Sequence, residues 1–135
     1  MLKYLDYFFT GFHTALIIFN LFGWIHPKTR KFNLITLLLT GVSWFILGIF
    51  YGIGYCPLTD WHFKILEKLG ETNLPNSYIT YLVARLTGYN FKEALIDRIT
   101  LIGYLTALVI SITLNLFPGM IRKMLNIRLH AKKHR

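Results

Sequence analysis

Three apolar runs, each long enough to cross a bilayer, constrain this chain more than anything else in it. They extend from Leu5 to Ile25, from Phe32 to Tyr55 and from Ile99 to Phe117. At 1.5 Å per residue, about 20 helical residues match a hydrocarbon core about 30 Å thick. Inside that core every backbone N–H and C=O must find its partner within the protein, which favours helices for runs of this length. With 54% hydrophobic residues and a mean hydropathy of +0.46, the 135 residues are too apolar for a water-soluble domain of that size. The expected fold is all-α and integral to a membrane: three transmembrane helices, with short amphipathic helices capping the outer side. Residues 1–117 form the membrane domain, about 58–97 its cap, and 118–135 a basic tail.

The first run carries polar residues on one side only. Asp6, Thr10, His13 and Asn20 are spaced by four, three and seven, so they share a helix face. That face looks at protein or water rather than lipid. The run is too long for the core of a signal peptide and ends in Trp24-Ile25-His26-Pro27 without a small-residue cleavage site, so it reads as a retained helix. His26-Pro27 is expected to stop it. The short link that follows makes the second helix an antiparallel neighbour of the first. In the second run Thr36, Thr40 and Ser43 share a side, and Gly48 and Gly52 have the small-xxx-small spacing that lets helices approach closely. Pro57 is expected to end it.

Between the second and third runs nothing is apolar enough to span. Thr59 is the expected N-cap of a short helix to Leu69, with Gly70 as its stop, and Ser77 that of a second piece ending near Gly88. Asn90-Phe91-Lys92-Glu93 has the form of a capping box. One long helix is expected from about Phe91 to Leu116, broken by Pro118-Gly119. Thr100, Gly103, Ala107 and Ser111 make a small-residue stripe on it, suited to packing against the other spans.

Charge orients the chain. The 15 basic and six acidic residues leave a formal charge of +9. The bases are segregated between apolar runs, a pattern of membrane topology rather than of nucleic-acid binding. Lys28, Arg30 and Lys31 stand in a link without acids, and the tail from Met120 to Arg135 is likewise basic without acids. Three spans put these two regions on one side, the cytoplasmic side by the positive-inside rule. The N-terminus and residues 56–98 then face outward, and the tail bases meet anionic headgroups of the bilayer.

Chemistry-bearing residues are few. His13, Cys56 and His62 are the candidate metal ligands, since imidazole and thiolate bind first-row metals, and a haem would need two of them. Thr10, Asp60, Trp61 and Arg85 make up the other candidate polar site. Arg85 is expected to pair with Asp60, Glu93 or Asp97, or with lipid phosphate. His13 needs a partner inside the bundle, with Thr10, Cys56, Tyr51 and Tyr55 as candidates. The single cysteine forms no internal disulfide, and no phosphate loop, nucleophile elbow, zinc-protease motif or CxxC is present.

Gly54-Tyr55-Cys56-Pro57-Leu58-Thr59, together with His13 and the segment Gly70 to Gly88 containing Pro75-Asn76-Ser77-Tyr78-Ile79, resembles a small bacterial inner-membrane family of unknown function. That family is marked by a Cys-Pro-Leu-Thr motif after the second transmembrane helix. The resemblance covers the chain to about Phe117 and implies the membrane fold, a bacterial inner-membrane location and no assigned activity. The leading reading is a non-catalytic structural or accessory subunit, as a homo-oligomer or with a membrane-protein partner. The alternatives are a redox, metal- or haem-binding membrane protein using His13, Cys56 and His62, and a binder of a lipid-like or small apolar ligand beneath the cap, in a pocket bounded by Trp61, Tyr55, Tyr81 and His13.

Overall fold

The computed structural model describes residues 1–133 and is helical, with no strand among them. Helix α1 covers Leu2–Phe22. Then follow α2 (Arg30–Gly41), a π-helical segment (Val42–Leu47) and α3 (Gly48–Tyr51), then α4 (Pro57–Lys68), α5 (Tyr78–Thr87), α6 (Glu93–Leu116) and α7 (Pro118–Lys133). Three helices are long and apolar enough to cross a membrane: α1, the continuous helix Arg30–Tyr51, and α6. Their outward sides carry large apolar residues such as Phe8, Ile18, Leu39 and Val109, all exposed. In lipid this outward apolar surface needs no further cover.

The bundle is held inside by small residues and by polar atoms that reach across. The Asn33 amide donates to the carbonyls of Phe19 (2.7 Å) and Asn20 (3.2 Å), and the Asn20 amide donates to the Thr40 hydroxyl (3.0 Å). The Asn115 amide donates to the Arg30 carbonyl at 3.2 Å, tying the end of α6 to the start of α2. Such bonds contribute about 0.6 kcal/mol each on average between membrane helices. Leu37, Tyr104 and Ala107 form the apolar core, with Trp24, Trp44 and Leu108 against it. Of the expected small-residue stripe on α6, Ala107 and Ser111 are buried in the bundle, and a Cβ on Gly103 would touch Leu21 at 3.5 Å.

Several boundaries differ from the sequence expectation, each for a local reason. The second span stops at Tyr51, not Tyr55, because Gly52 takes φ +108°, a conformation that only glycine adopts readily. The chain then folds back on its own helix. The Gly54 N–H donates to the Trp44 carbonyl inside the π segment (3.1 Å), and the Ser43 hydroxyl donates to the Tyr55 carbonyl (2.8 Å). Gly48 is small for that loop rather than for another helix, since a Cβ there would lie 3.1 Å from Ile53 Cα. Pro57 therefore does not end the second span. It occupies the first turn of α4, where its missing N–H is harmless, with Cys56 rather than Thr59 at the N-cap.

The first span ends at Phe22, before His26-Pro27. The following turn is stitched by side chains, with the Thr29 hydroxyl donating to Gly23 O (2.7 Å) and Arg30 Nε to Trp24 O (3.0 Å). The capping box at Asn90–Glu93 does not form. Lys92 is the N-cap of α6, and the Glu93 carboxylate instead accepts the Ser77 N–H at 2.9 Å, binding the start of α5 to the start of α6. Pro118 breaks the third span only at Phe117 and then opens α7 itself. The last two residues of the expected tail, 134 and 135, lie outside the described residues.

The tightest helix approach is at Gly41, where a Cβ would come within 2.6 Å of the Tyr104 hydroxyl. That hydroxyl donates to the Leu37 carbonyl at 2.8 Å. Tyr104→Phe should lower stability by about 1 kcal/mol for the lost bond, and Gly41→Ala by a similar amount through displacement of the same hydroxyl. The double variant should be less destabilised than the sum, because loss of the hydroxyl vacates the space that the added methyl group needs. Thermal unfolding of the purified protein in detergent measures this, and strict additivity would disprove the contact.

A charged clasp between the first span and the cap

The polar face of α1 is turned into the protein. Asp6, His13 and Asn20, each seven residues after the last, are its buried residues. Asn20 serves the interhelical bonds already described. Asp6 and His13 face the cap, where α4 packs on α1 and α5 lies against α6.

Asp6 is the centre of the cluster. Arg85 on α5 meets it as a two-pronged fork, with Nη1 to Oδ1 at 2.7 Å and Nη2 to Oδ2 at 2.9 Å. This planar match is the strongest geometry available to the pair. His62 on α4, with no exposed surface, places Nε2 at 2.8 Å from Oδ1. An ionised carboxylate only accepts, so this contact assigns the proton to Nε2. The second N–H of Arg85 Nη1 is shared between the Tyr81 hydroxyl (2.7 Å) and the Thr10 hydroxyl (3.1 Å). Its hydrogen bond to Asp6 raises the guanidinium above its ordinary pKa, holding the charge firmly in place.

An aromatic layer lies deeper. The His13 ring stacks on Tyr78 with centroids 3.8 Å apart and planes 8° from parallel. Tyr78 also approaches the His62 ring at 5.6 Å, and Phe9 stacks on that same imidazole at 5.7 Å. Burial pushes the Tyr78 phenol up to about 12, so it stays protonated. Beside the ion pair an open hollow of about 500 Å³ is lined by Lys3, Asp6, Glu71, Tyr81 and Arg85, among others. His62 and His13 do not line it.

The expected site residues are thus divided. Thr10, His62 and Arg85 converge on Asp6, and His13 lies next to them across Tyr78. Arg85 pairs with Asp6, not with Asp60, Glu93 or Asp97. Asp60 instead holds Lys64 one turn along α4 at 2.7 Å on the surface. Trp61 is 56% exposed on the far side of the same helix, since its neighbour His62 takes the buried face. His13 stacks on Tyr78, while its buried Nδ1 has no hydrogen-bond partner among the described residues, and none of Thr10, Cys56, Tyr51 and Tyr55 bonds to it. Cys56, a partly buried free thiol, stands six residues before His62, about 9 Å along a helix axis. Among the described residues no group of three His, Cys, Asp or Glu side chains is placed to hold a metal ion, so the set His13, Cys56 and His62 is not assembled. Of the residues expected to bound a ligand pocket, only Tyr81 lines the hollow. Asp6 and Tyr78 were absent from the expected site, although Asp6 is the one acid in the first apolar run and therefore a natural counter-ion for an arginine of the cap.

Three long apolar helices closed at one end by an ion-paired helical cap fit a multi-pass membrane protein. More narrowly, the chain belongs to the family described as Protein of Unknown function (DUF2784), whose family model matches residues 3–116. The match takes in the three spans and the cap helices and stops before α7. No curated protein and no solved structure matches the chain.

Asp6→Ala should destabilise the protein by about 2–3 kcal/mol. This is below the about 3–5 kcal/mol of a fully buried pair, because the Arg85 side chain is 29% exposed and water recovers part of the loss. Arg85→Lys should fall between wild type and Asp6→Ala, since an ammonium keeps the charge but not the fork. Denaturant unfolding in detergent measures the order, and equal stability of all three proteins would show that the clasp contributes nothing.

Proposed function

We propose that this chain is a small non-catalytic protein of the bacterial inner membrane, serving as a structural or accessory subunit within a larger membrane assembly. The observation that carries this reading is an unpartnered approach face on α1. Gly11 and Ala15, four residues apart, are both exposed, and a Cβ on Gly11 would meet nothing within 4 Å. The small residues of α6 are consumed inside the bundle, whereas this small-xxx-small pair is free to receive a helix. The Asp6 carboxylate, held by Arg85 and His62 on two different cap helices, supports a holding role for the polar centre.

On gentle extraction the protein should run as a defined assembly in native mass spectrometry. Gly11→Leu, which fills the notch without touching the core, should release the monomer. A wild-type protein that is monomeric when extracted directly from bilayers would overturn the proposal.

Charge supports an orientation with the N-terminus and residues 56–98 outside, and residues 26–31 and the tail cytoplasmic. In a Cys56→Ser background, Thr72→Cys should react with a membrane-impermeant thiol reagent on intact spheroplasts, and Lys28→Cys only after permeabilisation. The opposite pattern would invert the topology.

A further inference from the structure

We propose that α7 is an interfacial helix that lies on the anionic headgroup layer of the membrane the spans cross. The inference rests on the membrane reading above and adds what the helix binds and by which face.

The position of α7 is the first argument. Only Phe117 separates it from α6, and Phe117 leaves the helical conformation (φ −123°, ψ 48°), so the axis can change direction where the span ends. The helix therefore begins at the membrane boundary. Asn115, two residues earlier, is bonded to the Arg30 carbonyl. This sets the basic start of α7 beside the basic link of Lys28, Arg30 and Lys31, on the same side of a three-span protein.

The second argument is the pattern of the helix. At 100° per residue, Met120, Met124 and Ile127 fall on one line with Ala131, and Ile121, Leu125 and Leu129 make a second line beside it. Arg122, Lys123 and His130 take the opposite face with Asn126. Arg128 and Lys132 sit between the apolar lines, where stems of their length carry the charge back toward water. Met120, Met124, Leu125, Ile127 and Leu129 are 49–66% exposed, so nothing among the described residues covers them.

Charge selects the occupant. Residues 118–133 hold five Lys or Arg and no acid. A neutral apolar partner would leave those charges unmatched, whereas acidic phospholipid answers both faces: acyl chains take the methionines and isoleucines, and phosphates take the bases. Each base near such a surface contributes about 1 kcal/mol, or about fivefold in the equilibrium between the seated and lifted helix.

The test uses the full chain with Cys56→Ser, spin-labelled at one introduced cysteine and reconstituted in phosphatidylcholine bilayers with or without phosphatidylglycerol. Val109→Cys, on the exposed middle of α6, reports the span itself. Ile127→Cys and Asn126→Cys report the two faces of α7. With phosphatidylglycerol, a label at position 127 should be accessible to oxygen and shielded from a water-soluble nickel chelate, and a label at position 126 the reverse. In phosphatidylcholine alone the seated population should fall, and with phosphatidylglycerol Arg122→Gln and Lys123→Gln together should lower the seated-to-lifted ratio by about fivefold for each base lost. Water exposure of both faces in every bilayer would overturn the proposal in favour of a protein partner. Immersion independent of phosphatidylglycerol would overturn the role of the bases. A water-exposed label at position 109 would instead defeat the membrane reading beneath it.

Discussion

A carboxylate placed inside a helical bundle must have its charge answered, and Asp6 is answered from two directions at once. Arg85 supplies the opposite charge in a planar fork, and His62 supplies a further donor. Because these groups stand on α5 and α4, neutralising one side chain also fixes two helices that are too short to span, beside the apolar contacts those helices make through Leu66, Tyr78 and Leu82. Removing the carboxylate would leave a guanidinium among tyrosines, which is costlier than exchanging the whole cluster for well-packed apolar side chains. The arrangement is therefore better understood as specifying where the cap sits than as a large source of stability.

The rest of the bundle follows the same economy. Inside, tight approach and amide bonds hold the spans together at Gly41, Asn33 and Asn115. Outside, large apolar side chains are exposed, the kind of surface that lipid covers. The aromatic layer of His13, Tyr78, His62 and Phe9 forms the transition between the charged clasp and this apolar interior. Its rings combine flat apolar area with few polar atoms, which suits a position between ions and aliphatic core.

Much of this was legible in the sequence, and the parts that were not share a cause. Length and hydropathy mark all three spans, because a bilayer imposes a single scale on them. The spacing of Asp6, Thr10, His13 and Asn20 correctly announces that one face of α1 turns inward. The pairing of Arg85 was not legible, since all five other acids lie closer to it in sequence than Asp6 and the winner depends on how the cap is set against the first span. Tertiary contacts likewise displaced the local signal at Glu93, which serves Ser77 instead of its own helix, and the second span stopped before Pro57 was reached. A proline reads as a stop, yet it is equally suited to the first turn of a new helix. The spacing of Gly48 and Gly52 suggested a partner helix, where the chain's own loop is the partner.

The clasp also bears on how the protein is made. Asp6 finds its partners 56 and 79 residues later in the chain. During synthesis the first span is complete long before Arg85 exists, so a span that inserts as it emerges carries this carboxylate unanswered. An acid at the middle of an inserting helix costs about 3 kcal/mol, and much less within a turn or two of the boundary. Asp6 lies one turn from the start of α1, where the penalty is least, and His13, which tolerates a neutral form, takes the deeper position. The order of residues along that face thus lowers the cost of carrying a carboxylate into a bilayer before its partners are made.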